Sequence, residues 1–137
     1  DRALEASYRM RIETVPTLIK VEGGREAARV VGWERDEWRA RLRALAAAGQ
    51  RGVVWGAGSK GVTFLNATGA GEEIVAVVDI NPRKQGKYVA GTGQRIVAPA
   101  DLPALRPDFV IIMNANYRAE IGEMLAEAGV MAEILVA

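Results

Sequence analysis

From Gly52 onward, short apolar runs alternate with amphipathic stretches. "GVVW" reads as a short buried strand. "EIVAVVD" is a second, rich in β-branched residues and ending at Asp79. "DFVIIM" is a third and "MAEILVA" a last. Between them "SKGVTFLNAT" reads as a helix opened by Ser59, "PADLPAL" as a short helix, and "YRAEIGEMLAEAG" as a helix ending at Gly129, with Ile121, Met124 and Leu125 as its buried stripe. A polar, glycine-rich stretch without strand periodicity fills the gap from Asp79 to Pro99. Strand and helix in alternation predict an α/β fold, a parallel sheet covered by helices in three layers. Such a sheet opens a ligand crevice at the carboxyl ends of its strands.

The first half is patterned differently. Ala3 to Arg9 is rich in helix formers, "TLIKV" (17–21) and "AARVV" (27–31) flank a Gly-Gly turn, and a hairpin is the natural reading. After Gly32, "ERDEWRARLRALAAA" places Trp38, Leu42 and Leu45 on one helical stripe, with arginines on the other face and Gly49 as the C-terminal cap. Residues 1–49 and 50–137 are therefore expected as two parts. A two-stranded hairpin is marginal in water, so its exposed sheet edge predicts docking or self-association, and a homo-oligomer is one outcome.

Composition narrows the chemistry. Of the 137 residues half are apolar and 26% charged, which predicts a packed core. The net charge is +1, with neither half strongly basic, and no apolar run nears the length of a membrane span, so neither nucleic acid nor membrane is an expected partner. Cysteine and histidine are both absent. That removes disulfides, thiol redox chemistry, cysteine nucleophiles, histidine acid–base chemistry and the usual zinc ligands. The composition fits a reducing cytoplasm, the expected location. No signal-peptide pattern opens the chain, and residue 1 is Asp rather than Met.

Three groups of residues carry candidate binding chemistry. The first is Gly56-Ala57-Gly58-Ser59-Lys60-Gly61, a G-x-G-x-x-G between strand and helix, with Asp79 placed 21 residues after Gly58. Glycines permit a tight turn and close approach of a phosphate, helix amides and the dipole favour an anion, and an acid at the next strand tip suits ribose hydroxyls. Gly56, Gly58, Ser59, Lys60, Gly61 and Asp79 are the expected cofactor-binding set. A tight turn that binds nothing fits the same residues. The acid that class I methyltransferases carry before this turn is Trp55 here.

The second group is the loop "NPRKQGKYVAGTGQRIV", where Arg83, Lys84, Lys87 and Arg95 occur with no acidic residue between Asn81 and Val97. Clustered cations beside a glycine turn suit a diphosphate; a solvated loop suits them too. The third is "MNANYRAEI", which puts Asn114 and Asn116 at a strand tip and Tyr117, Arg118 and Glu120 at the following helix start. Here Asn116 is the expected helix cap.

Two family resemblances follow from these residues. "YRMRIETVPTLIKVEGGREAARVVGW" with its following helix (3–48) resembles the C-terminal half of a thioredoxin-like domain without the Cys-x-x-Cys, and the resemblance implies a cis Pro16 and no redox activity. "VVWGAGSKGVTFLN", "VVDINPRKQGKYVAGTGQRIVAPADL" and "PDFVIIMNANYRAEI" (52–136) resemble the C-terminal Rossmann-like domain of sugar C-methyltransferase-type proteins. In such proteins the metal cysteines, the S-adenosylmethionine site and the methyl-transfer residues belong to preceding domains, so SAM would need a domain not visible here. The resemblance implies a Rossmann-like domain flanking a nucleotide-sugar. Asn81, Lys84, Gln85, Gly86, Lys87, Asn114 and Tyr117 are then the substrate-binding candidates beside the glycine turn.

Three classes of function stay open on the sequence. One is a non-catalytic accessory domain that binds a nucleotide or nucleotide-sugar. Another is a small NAD-type enzyme using the turn and Asp79. The last is a structural or chimeric scaffold without a ligand. Two incomplete families in one chain fit a natural fusion, a truncated chain or an assembled one.

Overall fold

The computed structural model describes residues 34–137. The first helix, the hairpin and Pro16 with its expected cis bond lie outside the described residues. The chain divides into two compact units, 1–38 and 39–137, and of the first only Glu34 and the start of helix α1 (Arg35–Ala47) are described. The expected stripe on α1 is present: Trp38 and Leu42 are buried and Leu45 half-buried. Gly49 adopts φ +77° and, with Gln50, returns N–H groups to Ala46 and Leu45, closing the helix as expected.

After α1 come β1 (Gly52–Trp55), α2 (Ser59–Thr68), β2 (Ile74–Val78), β3 (Ile96–Val97), a 3-10 turn at Pro99–Asp101 with α3 (Leu102–Leu105), β4 (Phe109–Ile112), a 3-10 turn at Ala115–Tyr117 with α4 (Arg118–Glu127), and β5 (Glu133–Val136). The strands form one parallel sheet in the order β3-β2-β1-β4-β5. From β1 the chain therefore moves one way through α2 to β2. It later moves the other way, from β4 through α4 to β5. Right-handed crossovers then put α2 and α4 on opposite faces, and the order reverses between β1 and β4. This is the α/β Rossmann-like fold expected from the alternation of strand and helix.

Alternation along the strands sorts the core into two sides. Val53, Ala76, Val78, Val110 and Ile112 pack with Leu102, Ile121 and Leu125 of α3 and α4. Val54, Val77, Phe109 and Ile111 point the other way and are fully buried, as are Phe64 and Leu65 of α2. Trp55 is level with Val78 on one side and Ile112 on the other, so three strand tips end together and leave a shared rim.

One strand was not legible. The glycine-rich stretch expected as an irregular loop folds back on itself. Gly86 donates to the carbonyl of Ile96, Ile96 to Lys87 and Val89 to Gln94, all at 2.8 Å. The return arm becomes β3, paired in parallel with Val77 and Val78. Two residues are too few to show a period, which is why no strand was expected there.

The tip of this hairpin is fastened to α2. Asn66 Nδ2 donates to the carbonyls of Val62 and Ala90, each at 3.0 Å, and a Cβ on Gly91 (φ +94°) would meet Asn66 Oδ1 at 2.0 Å. Asn66→Ala removes the clamp, and its expected cost is about 1 kcal/mol in urea unfolding. Faster amide hydrogen exchange confined to residues 86–95 checks the mechanism. Unchanged exchange there would refute it.

Candidate functional site

The glycine turn is built from the strand outward. Gly56 ends β1 with φ +108°, a conformation closed to most side chains, and its N–H reaches the carbonyl of Val78 at 2.6 Å. Gly61, one turn into α2, lies against the Gly56 carbonyl so closely that a Cβ would stand 2.1 Å from that oxygen. The last glycine of the motif thus lets helix and strand approach. Gly58 precedes α2 in an extended conformation without a side-chain cap, and Ser59 is the first helical residue. The N–H groups of Ser59, Lys60 and Gly61 therefore have no intrahelical partner and mark the positive end of the helix dipole.

Asp79 is placed at the tip of β2 as expected, but its carboxylate faces main chain. Oδ2 accepts the Ala57 N–H and Oδ1 the Asn81 N–H, both at 2.8 Å. The Asp79 carbonyl accepts Gln85 Nε2 at 2.8 Å, and Lys84 Nζ donates to the Ala57 carbonyl at 3.4 Å. These bonds stitch the start of the basic loop to the turn. Lys84 is thereby brought to the turn, whereas Gln85 is spent on β2. Asn81 accepts the Arg83 N–H, Gly86 (φ +86°) opens the first arm of the hairpin, and Lys87 is exposed. Among the described residues none of Lys60, Arg83, Lys84, Lys87 and Arg95 lies within ion-pair distance of a carboxylate.

At the reversal between β1 and β4 lies a cavity of about 570 Å³. One wall is the turn, Gly56 and Gly58 to Gly61. The other is the β4 tip and the start of α4, with Asn114, Tyr117 and Glu120. Its apolar lining is Trp55, Ile80, Ile112, Met113, Ile121 and Met124. The volume is that of a typical small-molecule site, and a topological switch point is where such sites form in open α/β sheets.

Of the residues expected to bind, Gly56, Gly58, Ser59, Lys60, Gly61, Asn114 and Tyr117 line this space. Asp79, Asn81, Lys84, Gln85, Gly86 and Lys87 do not. The expected helix cap is corrected: Asn114 Oδ1 accepts the Asn116 N–H at 2.9 Å, so Asn114 caps and Asn116 is capped. The reason is an extra 3-10 turn, Ala115–Tyr117, which moves the cap two residues earlier than the α-helical pattern suggests.

Sequence reasoning missed Trp55, Ile80 and Met113 as lining residues. Trp55 is half-buried, and its indole N–H has no protein partner among the described residues. The available signal was position: Trp55 immediately precedes Gly56 at the strand tip, and Ile80 follows Asp79 while remaining 68% exposed.

The family model described as the C-methyltransferase C-terminal domain matches residues 10–133, a span that includes the glycine turn, the basic loop and both walls of the cavity. No curated protein matches the chain. Among solved structures, the crystal structure of RSP, a Rex-family repressor, is similar at a TM-score of 0.45 and 15% identity, covering 77% of this chain and 62% of that one. The structure of RSP in complex with beta-NAD+ and operator DNA is similar at a TM-score of 0.48 and 16% identity, covering 77% and 58%. The chain thus spans about three-fifths of the length of those repressor chains.

Proposed function

Because the chain belongs to the C-methyltransferase C-terminal domain family, we propose that it is a non-catalytic accessory domain whose switch-point cavity holds a nucleotide or nucleotide-sugar. The observation that carries this is the cavity wall, where the first residues of α2, Ser59 to Gly61, whose N–H groups have no intrahelical partner, line one apolar-floored space. Such a wall favours an anion, and the floor favours a partly apolar body behind it. Lys84, held at the carbonyl of Ala57, adds a second cation at the same turn. Both cations lack a carboxylate partner among the described residues, so their charge is not already neutralised.

The accessory role is supported by the family model, which is that of the C-terminal domain of C-methyltransferases.

Calorimetric titration with uridine diphosphate (UDP), β-NAD+ and S-adenosylmethionine tests the reading. UDP should bind, and Lys60→Ala with Lys84→Ala should weaken it about tenfold or more through loss of two charge-assisted contacts. The affinity should also fall with added salt. Absence of UDP binding, or affinity indifferent to both lysines, would refute it.

A further inference from the structure

A second cavity, of about 320 Å³, lies between α3 and α4 on the same face of the sheet as Trp55. Its lining includes Pro99, Ala100 and Leu102 on one side and Leu125 and Ala128 on the other. Two residues, Trp55 and Met124, line both this cavity and the switch-point cavity. They are the partition between the two spaces.

That partition is not fastened by polar contacts. Trp55 makes no hydrogen bond through its indole N–H among the described residues, and both side chains are only half-buried. Methionine has three rotatable side-chain bonds and a polarisable sulfur, and it refits readily around new neighbours. Indole offers a broad apolar face with one donor at its edge.

We propose that the second cavity is a subsite for an uncharged aromatic or branched apolar arm of the ligand anchored at the glycine turn, with Trp55 and Met124 as its movable threshold. This extends the nucleotide-type reading of the main cavity and rests on it for the anchor. The chemistry of the lining sets the class of arm. Proline, alanine and leucine supply apolar walls, and Glu127, the one charged residue there, disfavours an anionic group. Phosphate chemistry therefore belongs to the turn and apolar chemistry to the space beyond Trp55.

The test compares UDP with its N-methylanthraniloyl ribose ester, which adds one uncharged aromatic ring. Methyl N-methylanthranilate, the same ring without a nucleotide, serves as a third probe. The ester should bind at least about fivefold more tightly than UDP, the order expected for partial burial of one ring. On excitation of tryptophan it should show energy transfer that falls in Trp55→Phe. Ala128 is exposed at the rim of the subsite, so Ala128→Trp fills that space from outside. In this variant the gain of the ester should vanish while UDP affinity stays within about twofold; Ala100→Trp is the second variant should the first misfold. Equal affinities for UDP and its ester in the parent chain, or a gain that survives both fillings, would overturn the subsite. Failure of UDP to bind, with methyl N-methylanthranilate still bound and displaced by Ala128→Trp, would overturn the anion site and leave the subsite standing. Failure of all three probes would overturn both.

Discussion

Replacing Gly61 with alanine lowers the free energy of unfolding by about 3 kcal/mol. The added methyl would stand 2.1 Å from the carbonyl oxygen of Gly56, and that oxygen is main chain. A crowded side chain can rotate away, but this carbonyl is main chain of a residue tied through its N–H to Val78, so α2 has to shift off the strand. The shift reaches the fully buried Phe64 and Leu65 further along the helix, where close packing leaves no slack. Gly58→Ala is the internal control. It lies three residues earlier in the same motif, has φ −80°, and a Cβ there meets nothing within 4 Å. Its stability should stay within about 0.5 kcal/mol of the parent. Urea unfolding followed by circular dichroism separates the two, and a parental midpoint for Gly61→Ala would show that helix and strand do not approach this closely.

Asp79→Ala is the second large expected effect, at about 2 kcal/mol of stability. It removes the acceptor of two backbone N–H groups, those of Ala57 and Asn81. Asn81 is exposed, so water replaces its bond. Ala57 is only 8% exposed, and its N–H would be left largely unsatisfied. Asp79→Asn should cost roughly half as much, since one amide oxygen cannot serve both donors. This outcome also separates two roles for the same acid. Were Asp79 a ribose-binding group, its replacement would reduce dinucleotide affinity and leave stability alone. Urea unfolding beside β-NAD+ titration decides the matter, and undiminished stability with lost dinucleotide binding would reverse the assignment.

The strands and helices of 52–137 were largely legible because each apolar run was long enough to show its period and was bounded by glycine or a helix start. The same rule explains β3: Ile96 and Val97 belong to the sheet only through pairing with Val77 and Val78, and no two-residue run announces that. In the site, the glycine turn was legible because its chemistry is main chain and its spacing is fixed by geometry. Asp79 was found by position, whereas its partners were not. A carboxylate that accepts backbone N–H groups has the same spacing as one that awaits a ribose. Lys84 and Lys87, three residues apart in one loop, were inseparable in sequence; the fold turns one to the carbonyl of Ala57 and leaves the other exposed. Trp55 was read through the acid it replaces rather than the surface it presents. The resemblance to the C-methyltransferase C-terminal domain rested on three segments between residues 52 and 136 and is matched by the family model, which covers residues 10–133.

The place of β1 in the strand order has a kinetic consequence. Its two neighbours are β2, a short helix away in sequence, and β4, whose partner residues Phe109–Ile112 arrive more than fifty positions later. A ribosome-bound nascent chain ending before Phe109 therefore carries its innermost strand with one flank bare, exposing Val53 and Val54 to solvent or to other chains. Docking of β4 is the non-local step, and closing so long a loop is slow compared with forming α2. The sheet is thus vulnerable to misassociation until Phe109–Ile112 have been made, and it gains protection from one event, the seating of β4 against β1.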